Sequence, residues 1–212
     1  MAEAPHIIGI AGGSASGKTS FLRDLEKMLP VGSVSILSQD NYYHPKEMQY
    51  VDENGEINFD LPTSINRERF FNDLQSLSKG ESITKTEYTF NKKDAKPKEI
   101  IVQPAPIIIM EGLFIFHFEE IREMLDLRVF LDVREDIKLE RRIKRDAQER
   151  GYPEEIVRYQ WDNHVMPSFK AYLRPFRDDA NIIITNNHTF DKGLKVLADH
   201  LKALIINKSF FS

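Results

Sequence analysis

The chain has 212 residues, of which 41% are hydrophobic and 29% charged, and its formal net charge is −4. That is the size and balance of one globular domain with a real core, and the acidic excess argues against a nucleic-acid partner. No cysteine is present, which excludes disulfides, thiolate nucleophiles and cysteine-ligated zinc. The first residues carry no charged stretch followed by an apolar one, and apolar runs such as 107–110 are far too short to span a membrane. The expectation is a cytoplasmic protein with no membrane partner.

Taken in order, short β-branched runs alternate with helical patterns, which predicts an α/β fold with a mainly parallel sheet. Strands are expected at 6–11, 34–37, 107–110, 128–133 and 181–185. The apolar residues Phe21, Leu22, Leu25, Met28 and Leu29 recur as one helix face, closed by Pro30 and Gly32. Further helices are expected at 65–77, 137–150, from 154 toward 166, and at 192–206. Residues 41–62 are polar and aromatic without a period and read as a long functional loop. Residues 83–102 read as a β-hairpin, with strands at 83–90 and 98–102 around a polar turn. The whole chain, 1–212, reads as a single domain, with 137–160 as a helical lid.

Gly12-Gly13-Ser14-Ala15-Ser16-Gly17-Lys18-Thr19 fits G-x-x-x-x-G-K-[ST], after an apolar run and at the start of an amphipathic helix. Glycines let successive backbone N–H groups turn inward around phosphate oxygens. Lys18 then reaches the terminal phosphates and the Thr19 hydroxyl binds Mg²⁺; Ser20 adjoins this set. The motif therefore points to a nucleoside triphosphate, ATP or GTP, with Mg²⁺.

Ligands of open α/β sheets sit beyond the carboxyl ends of strands. Asp40 and Glu111 each follow an expected strand closely. Asp40 is the candidate base that orients an acceptor hydroxyl, and Glu111 the candidate carboxylate for the metal, with Asp40 also in reach of it. The bland reading of both is a turn or capping residue. In the helix at 137–150, Leu139, Ile143 and Ala147 share one face and are expected to meet the core. Arg142 and Arg145 share another, and Arg150 closes the helix before Gly151. Arginines on a lid can stabilise a migrating phosphoryl group, though a solvated, ion-paired face is the ordinary alternative.

With these residues in view, the chain resembles the uridine–cytidine kinase family, within the phosphoribulokinase/uridine kinase group of P-loop kinases. The resemblance rests on the phosphate loop, Gln39-Asp40-Asn41-Tyr42-Tyr43, Phe59-Asp60-Leu61-Pro62, Glu111-Gly112, Arg141-Arg142 with Arg145-Asp146, Glu149-Arg150-Gly151, and Gln160 with Pro167. It implies a three-layer P-loop fold with a hairpin and a lid at the acceptor site. It implies Asp40 as catalytic base, Asp60 on the ribose hydroxyls, and Tyr43, Tyr88 and Gln160 at the nucleoside. It also implies a homo-oligomer and feedback inhibition by pyrimidine triphosphates.

The departures lie at the substrate. Lys93 stands where the family has a histidine, Tyr152 where it has an arginine, and Leu61 where it has a histidine. If Lys93 faces the base, its ammonium donates but cannot accept, which favours uridine over cytidine. Two rivals stay open: a kinase of the same group for another alcohol or a sugar phosphate, and a guanine-nucleotide switch. The switch reading rests on Asp52-Glu53-Asn54-Gly55 as D-x-x-G and Asn91-Lys92-Lys93-Asp94 as N-K-x-D. Neither follows a buried strand, which argues against it.

Overall fold

The five expected apolar runs pair into one parallel sheet, in which the second, third, first, fourth and fifth of them in chain order lie side by side. The computed structural model describes residues 4–89 and 96–209, with side chains described to 206. The strands are β1 (His6–Gly12), β2 (Val34–Ser38), β7 (Ile107–Gly112), β8 (Leu127–Asp132) and β9 (Ile182–Thr185). Between β2 and β7 lie two antiparallel ribbons, β3 (Tyr50–Val51) with β4 (Ile57–Asn58), and β5 (Ile83–Thr86) with β6 (Glu99–Val102).

Alternation along buried strands sends side chains to two helical layers. Ile8, Ile10, Ile107, Ile109, Val129 and Leu131 meet one layer. It is formed by α1 (Lys18–Met28), through Phe21, Leu22 and Leu25, and α7 (Asp191–Ser209), through Leu194, Leu197 and Leu201. Ile7, Leu37, Ile108, Met110 and Phe130 face the other way. There they meet Phe70, Leu74 and Leu77 of α2 (Arg67–Ser78), and Trp161, Val165 and Phe169 of a long helical run. Each such buried side chain stabilises the fold by roughly 1.5–3 kcal/mol. α2 starts at Asn66, whose side chain accepts from the Arg69 amide at 3.0 Å. A short helix, α3 (Glu119–Arg122), precedes β8; no apolar period announces it.

Several expectations need correction. The loop at 41–62 holds a 3₁₀ turn at Lys46–Met48 and the β3–β4 ribbon, which forms because Asp52 accepts the Asn54 and Glu56 amides, both at 2.9 Å, and folds the chain back. The strand expected to 90 ends at Thr86, where its pairing with Glu99 stops; residues 90–95, and Lys93 with them, lie outside the described residues. The helix expected from 154 toward 166 is α5 (Glu154–Gln160), a π turn at Trp161–Val165, α6 (Met166–Ser168), a second π turn at Phe169–Leu173, and a 3₁₀ turn at Arg174–Phe176. In α4 (Glu135–Arg150) the buried face is Lys138, Arg142 and Asp146, not Leu139, Ile143 and Ala147. Leu139 packs at the core edge and Ala147 is exposed. The charged face turns inward because Arg142 pairs with Asp146 and the Lys138 ammonium packs over the Phe169 ring. Among the described residues no helix is long and apolar enough to cross a membrane.

Candidate active site

Because β1, β2 and β7 are parallel and adjacent, their carboxyl ends open on one side of the sheet. A cavity of about 1000 Å³ lies there. β1 runs into the phosphate loop, β2 into Asp40, and β7 carries Glu111 as its last residue but one, in register with Ile10 of β1 and Ser38 of β2.

The phosphate loop is held in an uncommon backbone shape. Gly17 has φ 96° and Ala15 φ 60°, the latter a left-handed conformation that costs an L residue about 1 kcal/mol. A Cβ on Gly17 would lie 2.6 Å from Asn186 Nδ2. That amide, just beyond β9, donates to the Ser16 carbonyl at 2.9 Å and braces the loop from behind. Lys18 Nζ donates to the carbonyls of Gly12 at 2.8 Å and Gly13 at 3.3 Å. Burial lowers the Lys18 pKa, while Glu111 and Asp40 oppose that shift. Thr19 and Ser20 are exposed on the first turn of α1 and line the cavity. Ser16 Oγ is buried with no hydrogen-bond partner among the described residues, so the loop keeps an unused donor.

Glu111 is buried and accepts from the Ser38 hydroxyl. Burial first, and then the nearby charge of Asp40, push its pKa up to about 7. Burial also raises Asp40, against the pull of Lys18, Arg150 and Arg145. Gln39 fixes the turn that carries Asp40. Its Oε1 accepts the Phe114 amide at 2.9 Å, and its side chain fills the space a Cβ on Gly112 would need. Among the described residues no three His, Cys, Asp or Glu side chains gather as a metal cage. A hydroxyl and two carboxylates suit Mg²⁺, which completes its shell with phosphate and water oxygens.

The arginines of α4 converge on one carboxylate. Asp146 is fully buried and lies 3.3 Å from Arg142, 2.8 Å from Arg145 and 3.4 Å from Arg150. One negative charge thus holds three positive ones, and the excess faces the cavity. Arg142 also donates to Ser14 Oγ at 2.9 Å, joining α4 to the phosphate loop. Beyond the loop lies Lys138, its ammonium 3.9 Å over the Phe169 ring.

On the acceptor side Asp60 lies 4.0 Å from Arg142, and Gln160 Oε1 accepts from Arg142 at 3.4 Å. Tyr43 stands between Phe59 and Tyr88, with ring centroids 6.1 and 5.2 Å away. Burial and the charges of Asp40 and Asp60 keep the Tyr43 hydroxyl neutral. Every sequence candidate except Lys93 therefore sits on or beside one cavity. The sequence reading missed Ser38, Asn186 and His164, gave Asp146 no role of its own, and took Asp52 only as part of a D-x-x-G match. Ser38 and Asn186 are strand-end polar residues, and that signal could have found them. The other three become visible only through their partners. Asp52 is no phosphate sensor, since its carboxylate accepts from Tyr159 and His164, each at 2.7 Å.

Comparison with known proteins agrees with this geometry. The family described as Phosphoribulokinase / Uridine kinase matches residues 7–191. The chain belongs to that family. As a member of the phosphoribulokinase/uridine kinase family it is a kinase that takes its phosphoryl group from a nucleotide. It is 33% identical over 208 residues to the uridine kinase of Brevibacillus brevis, covering 98% of this chain and 97% of that protein. It is 35% identical over 198 residues to the uridine kinase of Borreliella burgdorferi, covering 93% and 95%. Among solved structures, a possible uridine kinase from Bacillus stearothermophilus superposes with a TM-score of 0.62 at 18% identity, over 86% of this chain and 90% of that one. A D-glycerate 3-kinase from Cryptococcus neoformans gives 0.54 at 16% identity, over 80% and 79%. At those identities the two structures bear on the fold, a P-loop kinase fold.

Proposed function

We propose that this protein transfers the γ-phosphoryl group of ATP to the 5′-hydroxyl of uridine. The observation that supports this most is the meeting of Lys18, Asp40, Asp60 and the Asp146-held arginines around one cavity, in a chain whose relatives are named uridine kinases. The backbone of residues 13–19 and Lys18 hold the triphosphate. Thr19 and Glu111, with Asp40 nearby, would hold Mg²⁺, which would supply charge neutralisation at the phosphates. Asp60 and Gln160 seat the ribose, with Tyr43 and Tyr88 beside the base.

Asp40 orients the hydroxyl. As the new P–O bond forms and the bond to the leaving diphosphate breaks, the hydroxyl proton passes to Asp40. A base with a raised pKa takes that proton more readily than an ordinary carboxylate. Arg142, Arg145 and Arg150 stabilise the charge on the migrating group. One catalytic domain, a cytoplasmic location and a homo-oligomer complete the reading.

ADP release with Mg·ATP against uridine, cytidine, ribulose 5-phosphate, pantothenate and no acceptor tests it. Fast turnover with uridine is expected. Turnover with ribulose 5-phosphate or pantothenate and none with either nucleoside would refute it.

A further inference from the structure

The D-x-x-G match at Asp52 has a physical explanation that reaches the acceptor pocket. Asp52 sits at the turn of the β3–β4 ribbon, and Gly55, Glu56 and Ile57 of that ribbon line the cavity. Its Oδ1 accepts two amides of its own turn, and its Oδ2 accepts from the helical run more than a hundred residues later. Asn54 Nδ2 donates to the Tyr159 hydroxyl at 2.6 Å, so the Tyr159 proton points to Asp52. Those donors hold the Asp52 carboxyl well below the usual range, the Tyr159 hydroxyl first among them.

An ionised carboxylate only accepts hydrogen bonds. His164 Nε2, at 2.7 Å from Oδ2, must therefore carry its proton. In the neutral ring that leaves Nδ1 as a bare lone pair, the tautomer being set by the partner of the other nitrogen. His164 is 3% exposed and lines the cavity, and the hydrogen bond its ring makes among the described residues is the one through Nε2 to Asp52. Gln160 and His164 are four apart on one helical run and both line the cavity. Gln160 meets Arg142 beside Asp60, and His164 follows it in the turn at Trp161–Val165.

We propose that His164 is a specificity-determining residue whose Nδ1 accepts a hydrogen bond from a ring N–H of the acceptor's base, with Asp52 and Tyr159 as the positioning residues that fix its tautomer. The proposal rests on the nucleoside reading above. A uracil-type base offers N3–H to such an acceptor. A cytosine-type base presents a lone pair at N3, which Nδ1 repels, so the geometry selects uridine without reference to Lys93.

The test compares kcat/KM for uridine and 3-methyluridine, which lacks that N–H, in the intact protein and in folded His164→Phe and Asp52→Asn variants. Wild type should favour uridine by at least about 10-fold, one hydrogen bond's worth of discrimination. Both variants should lose most of that ratio while KM for ATP stays put. A loss of fold would lower every parameter together, and the Asp52→Asn variant on the outer ribbon serves if His164→Phe is unstable. A folded variant that keeps the wild-type ratio overturns the proposal. Wild type inert toward uridine overturns instead the function on which it rests.

Discussion

Helices α1 and α4 both flank the phosphate loop, yet they bury opposite kinds of face. α1 turns Phe21, Leu22 and Leu25 into the core, whereas α4 turns Lys138, Arg142 and Asp146 inward. The first face is stabilised by removal of apolar area from water, a property each residue carries by itself. The second is tolerable only because Asp146 meets three arginines at once. An apolar period therefore finds a scaffold helix, but it misassigns a helix whose buried face is a charge cluster.

Four substitutions bear on that contrast. The largest effect is expected at the first residue of α1, where Lys18→Ala should lower kcat/KM about 1000-fold, read by steady-state ADP release. Retained turnover would mean that α1 is scaffold throughout. Leu25→Ala, fully buried, should cost about 3 kcal/mol in urea unfolding and leave KM for both substrates unchanged.

Asp146→Asn should lower kcat about 100-fold while ATP affinity by titration calorimetry holds or rises, because a negative charge leaves the site as arginine placement is lost. A fall in affinity and rate together would reduce Asp146 to an ordinary structural residue.

The last substitution concerns Lys85, 3% exposed and 5.7 Å over the Tyr42 ring, with no ion pair among the described residues. Burial lowers its pKa from 10.5 to about 8. The folded value is below the unfolded one, and the group is a base. Its charge therefore destabilises the fold fully below pH 8, and the cost fades as pH rises toward 10.5. Lys85→Met should raise stability at pH 7 by up to about 3 kcal/mol, with the gain vanishing near pH 10.5. A pH-independent difference in thermal midpoint would contradict this. Set beside Asp146→Asn, it asks whether a buried charge costs stability when alone and not when clustered.

The same contrast explains what could be read in advance. The five strands were legible to within a residue or two because β-branched runs buried on both faces carry their own signal. Asp40 and Glu111 were legible because a parallel sheet sends every strand end to one side. The ribbon at 50–58 was not, since Asp52 forms it with amides rather than with an apolar pattern. The inner face of α4 was misread for the reason already given, and the π turns at Trp161–Val165 and Phe169–Leu173 have no counterpart in a 3.6-residue period.

What the chain determined by itself was everything local. That covers the glycine and lysine order at 12–19, whose chemistry is contiguous, the strand–helix alternation, and the carboxylates just past strand ends. The tertiary structure alone decided which distant groups meet: Asn186 behind Ser16, Asp146 beneath three arginines, and Asp52 against Tyr159 and His164. The physical reason is that hydrogen bonds and ion pairs between remote segments depend on distance and direction in space, and no spacing along a sequence encodes either.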